Sequence, residues 1–313
     1  MIITPEDAAA EAVAELDAVM VGTTDDTPNR AIWHYGKAEG MAGILEHNKI
    51  WATHYGYTND PKELRIGESA VRSVIDELAA KATGDVGIVY QALKARYRDD
   101  ALTEVVDVYI ACFTEDLDHP GDELSQWREY GDAGSGYSLG LRPAPVAVST
   151  AAPPDSSLAT YLVRVEYDIH AFANVVRTTL DRLIGVHLQQ KKKATADVAR
   201  TVAHMMRQVA ALVPRLKSDF FRSEREWRYV VVPIVAPYAH YRKDVKFRTP
   251  PRRGLVPYVE LPLAPPGEKL PIIGLIAGPG RRGPQRAAAA SMLLAKWGYN
   301  HALAGKSRGA LSD

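Results

Sequence analysis

The spacing of apolar residues changes period repeatedly along this chain, and that succession restricts the fold more than any other feature. Val71, Val74, Ile75, Leu78 and Ala82 recur at three-and-four spacing, the mark of one buried helix face. A second helix is predicted over Val86 to Tyr97. The period then falls to two: Val106, Val108, Ile110 and Cys112 alternate, then Tyr137, Leu139 and Leu141, then Tyr161, Val163, Val165 and Tyr167. These read as strands. Helical spacing returns from about His170 to Lys217, through Leu180, Leu183, Ile184 and His187 and then Val198, Val202, Met205, Val209 and Leu212. Strands resume at Trp227 to Val235, Tyr258 to Leu261 and Ile272 to Ala277, and a helix is predicted over Pro284 to Trp297. Long helices inserted between strands, not alternating with them one for one, indicate an α+β fold.

The expected organisation is an N-terminal helix and turn over residues 1–30, then a single α+β domain over 31–313 with a helical insertion at about 170–217. Thr4 reads as the N-cap of the first helix, with Pro5 in its first turn. Ala144 to Ser157, rich in Pro, Ala and Ser, is expected to be an exposed connection. Ala31-Ile32-Trp33 reads as a short buried strand and Ala38 to His47 as the helix behind it. The polar pair His34-Tyr35 therefore falls at a strand end, where side chains are held rigidly and can face a ligand. Strand alternation puts the two on opposite faces. His34 is expected to line a pocket, with Tyr35 packed behind it.

Composition removes several classes of function. The 38 basic and 38 acidic residues cancel, so no protein-wide field draws in nucleic acid or an anionic membrane. Lys191-Lys192-Lys193, Arg252-Arg253 and Arg281-Arg282 read as solvated faces. The single cysteine, Cys112, excludes an intramolecular disulfide and a Cys-rich zinc site, and its mid-strand position reads as inert core. No apolar run approaches the roughly 18 residues that span a bilayer, and the N-terminus lacks a basic region followed by an apolar one. A cytoplasmic protein is expected, with no membrane partner and no metal.

Four clusters combine polar and aromatic residues at element ends: His34-Tyr35; Tyr57-Thr58-Asn59-Asp60; Ser125-Gln126-Trp127-Arg128 with Tyr130 and Tyr137; and Glu224-Arg225-Glu226-Trp227-Arg228. Alternation along a strand would place Glu224 and Glu226 on one side, with Arg225, Trp227 and Tyr229 on the other. Two carboxylates on one face repel unless a cation sits between them. They form either a surface ladder with the arginines or a pair that stabilises positive charge in a transition state or polarises a nucleophile.

Trp33-His34-Tyr35 before a helix, Thr58-Asn59-Asp60-Pro61, Cys112-Phe113-Thr114, Trp127 with Tyr130 before a glycine-rich strand, and Glu224-x-Glu226-x-Arg228 occur in this order. Together they resemble an uncharacterised bacterial family, domain of unknown function 2971, over about residue 31 to the end. That family is in turn similar to the ADP-ribosyltransferase superfamily. The resemblance implies a split β-sheet core and cleavage of NAD at the nicotinamide bond, with ADP-ribose passing to a protein or nucleic-acid acceptor. In bacterial conflict such an enzyme would disable a target. The resemblance matches the first-strand residue to His34, which would hold ribose hydroxyls, and the catalytic carboxylate to Glu226 with Glu224 beside it. For the middle position Tyr137 fits by strand placement, with Tyr130 and Tyr57 as rivals for stacking on nicotinamide. Tyr35, Asn59, Trp127 and Arg128 complete the expected NAD-binding set. Two features depart from the superfamily pattern: Tyr35-Gly36 follows the histidine, and there is no Ser-Thr-Ser segment.

Other chemistries have weaker signals. His34, His47 and His54 lack metal-ligand spacing, and no Gly-x-Ser-x-Gly elbow is present. Gly278-Pro279-Gly280-Arg281-Arg282-Gly283 sits between a strand and a helix, as a phosphate-cradling loop does, but lacks the Lys-Ser/Thr of a P-loop. The alternative to an enzyme is a non-catalytic module of the same fold that recognises a nucleotide or nucleic acid through Arg128, Arg225 and the terminal basic loop.

Overall fold

Helix starts and stops in this chain are written in short polar side chains. Asp168 caps a long helix by accepting from the His170 and Ala171 N–H groups, and Asp197 caps the next by accepting from Arg200 N–H. Asn48 ends the first described helix in the left-handed region at φ 54°. Its side chain then ties that end to the distant chain. The Asn48 amide donates to Glu268 O, while its carbonyl accepts from Leu270 N–H and the Tyr299 hydroxyl.

The computed structural model describes residues 30–58, 61–97, 108–115, 118–143, 158–194, 196–233, 244–250, 254–261, 263–265 and 267–309. The predicted N-terminal helix, Asn59, Asp60, Val106, the Ala144 to Ser157 connection and Arg252-Arg253 lie outside them. Among the described residues ten strands form one sheet: β1 (Ile32–Gly36), β2 (Ile50–His54), β3 (Tyr109–Thr114), β4 (Tyr137–Leu141), β5 (Leu158–Arg164), β6 (Glu226–Pro233), β7 (Lys246–Arg248), β8 (Val256–Leu261), β9 (Ile272–Ala277) and β10 (Leu303–Lys306). The helices are α1 (Ala38–His47), α2 (Pro61–Lys81), α3 (Gly84–Arg96), α4 (Leu124–Glu129), α5 (Ile169–Lys192), α6 (Val198–Leu212) and α7 (Gly283–Lys296). The fold is mixed α+β, as the periodicities indicate, and its sheet is open and mixed. Among the described strands, β9–β10 is the one parallel pairing. The stretch 170–217, expected to be helical, holds α5 and α6. The sequence reading missed α4, β7 and β10, each of them too short to display a period.

Helices cover both faces. On one, α2, α3, α5 and α6 bury Val71, Val74, Leu93, Leu180, Met205 and Val209 against Ile110, Val230 and Val232 of β3 and β6. On the other, α1 and α7 bury Met41, Leu45 and Leu294 against Ile32, Phe113, Trp227, Tyr229 and Leu275. At about 25 cal/mol per Å² of apolar surface, these two cores supply the main driving force for folding.

The sheet forks at β3. All of β3, from Tyr109 to Thr114, pairs with β6 along one edge. Its other edge is shared: Thr53 and His54 of β2 pair with Ile110 and Tyr109, whereas Trp33 of β1 pairs with Thr114. Strand β1 continues into a half-sheet with β4, β9 and β10, and β2 into another with β8 and β7. The tip of the fork is closed by a side chain, since His34 Nδ1 donates to Cys112 O at 2.9 Å.

Trp33 fixes the angle of the first half-sheet. Its ring lies on Gly140 of β4 and against Gly121, where a Cβ would sit 2.7 Å and 2.4 Å from ring carbons. Gly121 also has φ +73°, a conformation that favours glycine. Trp33, Tyr35, Trp127 and Ile276 make a third, small core beside this joint.

Candidate functional site

A cleft of about 660 Å³ opens through the fork. One wall carries His34 of β1 with Gly40, Gly43 and Ile44 of α1; the other carries Trp51 and Thr53 of β2. Ala111, Cys112 and Thr114 of β3 form the floor, followed by Lys217, Glu224, Glu226 and Arg228. Tyr57, Tyr130 and Phe221 stand at the same cavity. His34, Tyr57, Tyr130, Glu224 and Glu226, scattered over 193 positions of sequence, therefore line one space.

The floor is a buried ion cluster. Thr114 pairs with Glu226 and Cys112 with Arg228 across β3 and β6, so these four side chains share one face. Arg228 grips Glu226 with both ends of its fork, Nε to Oε1 at 2.7 Å and Nη2 to Oε2 at 3.0 Å, and gives Nη1 to Pro214 O at 2.6 Å. Lys217 Nζ bridges the carboxylates, 2.7 Å from Glu224 Oε2 and 2.9 Å from Glu226 Oε2. The ammonium also lies over the Phe221 ring at 4.7 Å. Two carboxylates and two cations cancel, which is how this much charge can sit out of water.

Glu224 and Glu226 do converge, by a different route from strand alternation. Glu224 ends a 3-10 turn (Asp219–Glu224), Arg225 takes a left-handed φ of 44°, and β6 begins only at Glu226. Thr114 Oγ1 holds this corner by donating to Glu224 O at 2.5 Å. The required cation is Lys217. Sequence reading missed it because Lys217 lies seven residues before Glu224, off any periodic pattern; the one available signal was that two buried carboxylates need a positive charge between them.

Burial alone would raise the Glu226 pKa, but the charge and hydrogen bonds of Arg228, then Lys217 and the Cys112 thiol, bring it down to about 2. Glu226 is therefore ionised throughout the physiological range. Cys112 has surface inside the cleft yet is enclosed by protein, and that enclosure, followed by the Glu226 charge, pushes its thiol pKa well up. It is a protonated cleft-lining thiol, which corrects the expectation of a core residue. Tyr167, whose hydroxyl accepts from Glu226 N–H at 3.1 Å, is pushed up to about 12, chiefly by burial.

His34 is held differently. Burial lowers its pKa, partly offset by the bond to Cys112 O, so the ring is neutral at pH 7. A carbonyl only accepts, so Nδ1 carries the proton and Nε2 is left as an acceptor. By register Trp33 shares a face with Thr114 and Glu226, and His34 therefore reaches the cleft from the opposite side of the sheet.

The remaining predicted residues are placed as follows. Tyr35 is buried with its ring edge-on to Trp127, centroids 4.7 Å apart, and its hydroxyl accepts from Glu123 N–H at 2.9 Å; alternation puts it on the face opposite His34, and it too lines the cleft, which corrects the expectation that it only packs behind the histidine. Trp127 is fully buried and donates Nε1–H to Asp122 at 2.8 Å, so its ring faces the small core and not the cleft. That corrects its assignment to ligand binding. Arg128, on the solvent side of α4, and Tyr137, whose hydroxyl donates to Arg286 O at 3.4 Å, also stand outside the cleft lining. Arg225 pairs with Glu123 at 3.6 Å.

The glycine-rich loop after β9 is a packing joint. Arg286 spends its guanidinium on Gly134 O, Ser135 O, Gly136 O and Gly278 O, and a Cβ on Gly278 would meet Gly134 O at 2.5 Å. Lys191 of the basic run pairs with Asp85. Among the described residues no group of three or more His, Cys, Asp or Glu is arranged to hold a metal ion, and no helix is long and apolar enough to cross a membrane.

Residues 126–229 match the family described as "Protein of unknown function (DUF2971)", the family that the ordered motifs resemble. The matched stretch takes in Tyr130, Lys217, Glu224, Glu226 and Arg228, most of the polar floor of the cleft, but neither His34 nor Tyr57. No curated protein and no solved structure matches the chain.

Proposed function

We propose that the chain is an ADP-ribosyltransferase-like enzyme that binds NAD in the forked cleft and cleaves it at the nicotinamide bond. ADP-ribose then passes to a protein or nucleic-acid acceptor, or to water. The observation that carries this reading is the fork itself: one cavity runs through a split sheet with a neutral histidine acceptor on one wall and a permanently ionised glutamate on its floor.

The chemistry asks for that combination. When the bond between nicotinamide nitrogen and ribose breaks, nicotinamide keeps the electron pair and leaves neutral, and positive charge builds on the ribose. Glu226 faces that charge as a fixed carboxylate needing no proton transfer, held rigid by Arg228 and Lys217. His34 Nε2 accepts from a ribose hydroxyl. Tyr57 and Tyr130, both partly exposed at the cleft, offer ring faces to the planar nicotinamide. The lone thiol suits a cytoplasmic enzyme.

The test is nicotinamide release from NAD, with and without cell lysate. Glu226→Gln is expected to abolish turnover and leave NAD affinity within about threefold. No nicotinamide release, no labelled product and no NAD-induced rise in melting temperature would together overturn the reading.

A further inference from the structure

One face of the half-sheet β2–β8–β7 exposes Trp51 and Lys246 over a buried Tyr258 and Val256. Its other face is core, through Ile50, Ala52, Val259 and Leu261. On the Trp51 face, register aligns Trp51 with Glu260, Thr53 with Tyr258, Tyr258 with Lys246 and Val256 with Arg248. Thr53 also pairs with Ile110 of β3, so this strip continues the Glu226 face. Trp51 is 39% exposed, its ring against that of Tyr258 with centroids 4.3 Å apart and planes tilted by 31°. Arg248 is fixed beside it, Nη2 donating to Thr53 Oγ1 at 2.9 Å, and Lys49 is exposed at the start of β2. Lys49, Trp51, Thr53 and Arg248 all line the cleft.

We propose that this strip is a second subsite, which takes a phosphate-linked aromatic base, the far half of a dinucleotide whose near half occupies the His34–Glu226 end. The ion cluster on the floor is already neutral, so it offers no net charge to a pyrophosphate. Arg248 and Lys49 supply that charge about one strand away, and Arg248 is held in place before a ligand arrives. Trp51 presents a ring whose contact partner, Tyr258, fixes its orientation. An aromatic platform next to anchored cations recognises a base and its phosphates, whereas a nucleoside lacking phosphate would gain only the stacking.

This inference rests on the dinucleotide reading of the cleft but is tested apart from it. ADP is titrated into the protein by calorimetry, alongside adenosine, with Trp51→Leu and Arg248→Gln as variants; Trp51 is exposed and Arg248 half-buried, and melting temperatures check folding. ADP is expected to bind at least tenfold tighter than adenosine. Trp51→Leu should weaken ADP about tenfold, and Arg248→Gln should remove most of the advantage of ADP over adenosine. If ADP binds in this way but NAD is never cleaved, the subsite stands and the transferase reading falls. If NAD is cleaved but ADP does not bind, or both variants keep wild-type ADP affinity and KM for NAD, the subsite is overturned and the transferase reading survives.

Discussion

Replacing Glu226 by Gln keeps the shape of the side chain and removes the charge that Arg228 and Lys217 surround, so its effect on stability has a pH signature. The folded-state pKa is about 2 against an ordinary 4.5. A depressed carboxylate pKa contributes stability above the ordinary value and loses it as pH falls towards the folded one. At 1.36 kcal/mol per pH unit, that depression corresponds to ~3 kcal/mol at pH 7, falling to less than half of that at pH 3. The assay is urea unfolding of wild type and Glu226→Gln at pH 7, 5, 4 and 3. The wild-type advantage should be level between pH 7 and 5, then shrink by more than half by pH 3. An advantage that stayed constant to pH 3 would refute the premise that Glu226 is an ionised, pinned carboxylate, however large it was at pH 7.

Three further outcomes follow from the same geometry. With a single cysteine in the chain, whole-protein mass spectrometry reads Cys112 alone: alkylation should be slow at pH 7–8, rise only in strongly alkaline buffer, and speed up in Glu226→Gln, which removes the charge that raises the thiol pKa. Nitrogen NMR of His34 should show a neutral ring protonated at Nδ1 at pH 7, with its titration lying below the ordinary 6.5. Gly140→Ala drives a methyl into the Trp33 ring and should cost about 1–3 kcal/mol by calorimetry or urea unfolding. The comparison is Gly43→Ala, where a Cβ meets nothing within 4 Å and the cost should be near zero or negative.

Periodic segments were legible because periodicity reports one buried face. Val71 to Ala82, Leu180 to His187 and Ile272 to Ala277 fell into α2, α5 and β9 for that reason. The fork was not derivable from spacing, because it depends on two strands sharing one edge of a third, a fact of register between segments tens of residues apart. Within the site, His34 and Glu226 were visible as polar residues interrupting apolar strands. Lys217 and Arg248 were not, since a long cation at an element end looks like any solvated lysine or arginine until burial and partners are known. Trp127 shows the opposite error: an aromatic among polar neighbours was read as a ligand platform, yet its Nε1–H is satisfied by Asp122 and its ring fills the joint beneath Tyr35.

The fork also dictates the order in which the cleft can come into being. Its walls are close in sequence, since β1, α1 and β2 lie within residues 32–54, although β1 pairs with β3 and β4 and β2 with β3 and β8. Its floor is assembled by pairing Thr114 with Glu226 and Arg164 with Trp227, contacts separated by 112 and 63 residues. Closing those loops is slow, so the carboxylate meets its histidine wall only when these long-range pairings are complete. During synthesis the chain therefore remains without its charged floor until residues beyond β6 have emerged, and a truncation anywhere before Glu226 yields a wall with nothing to face.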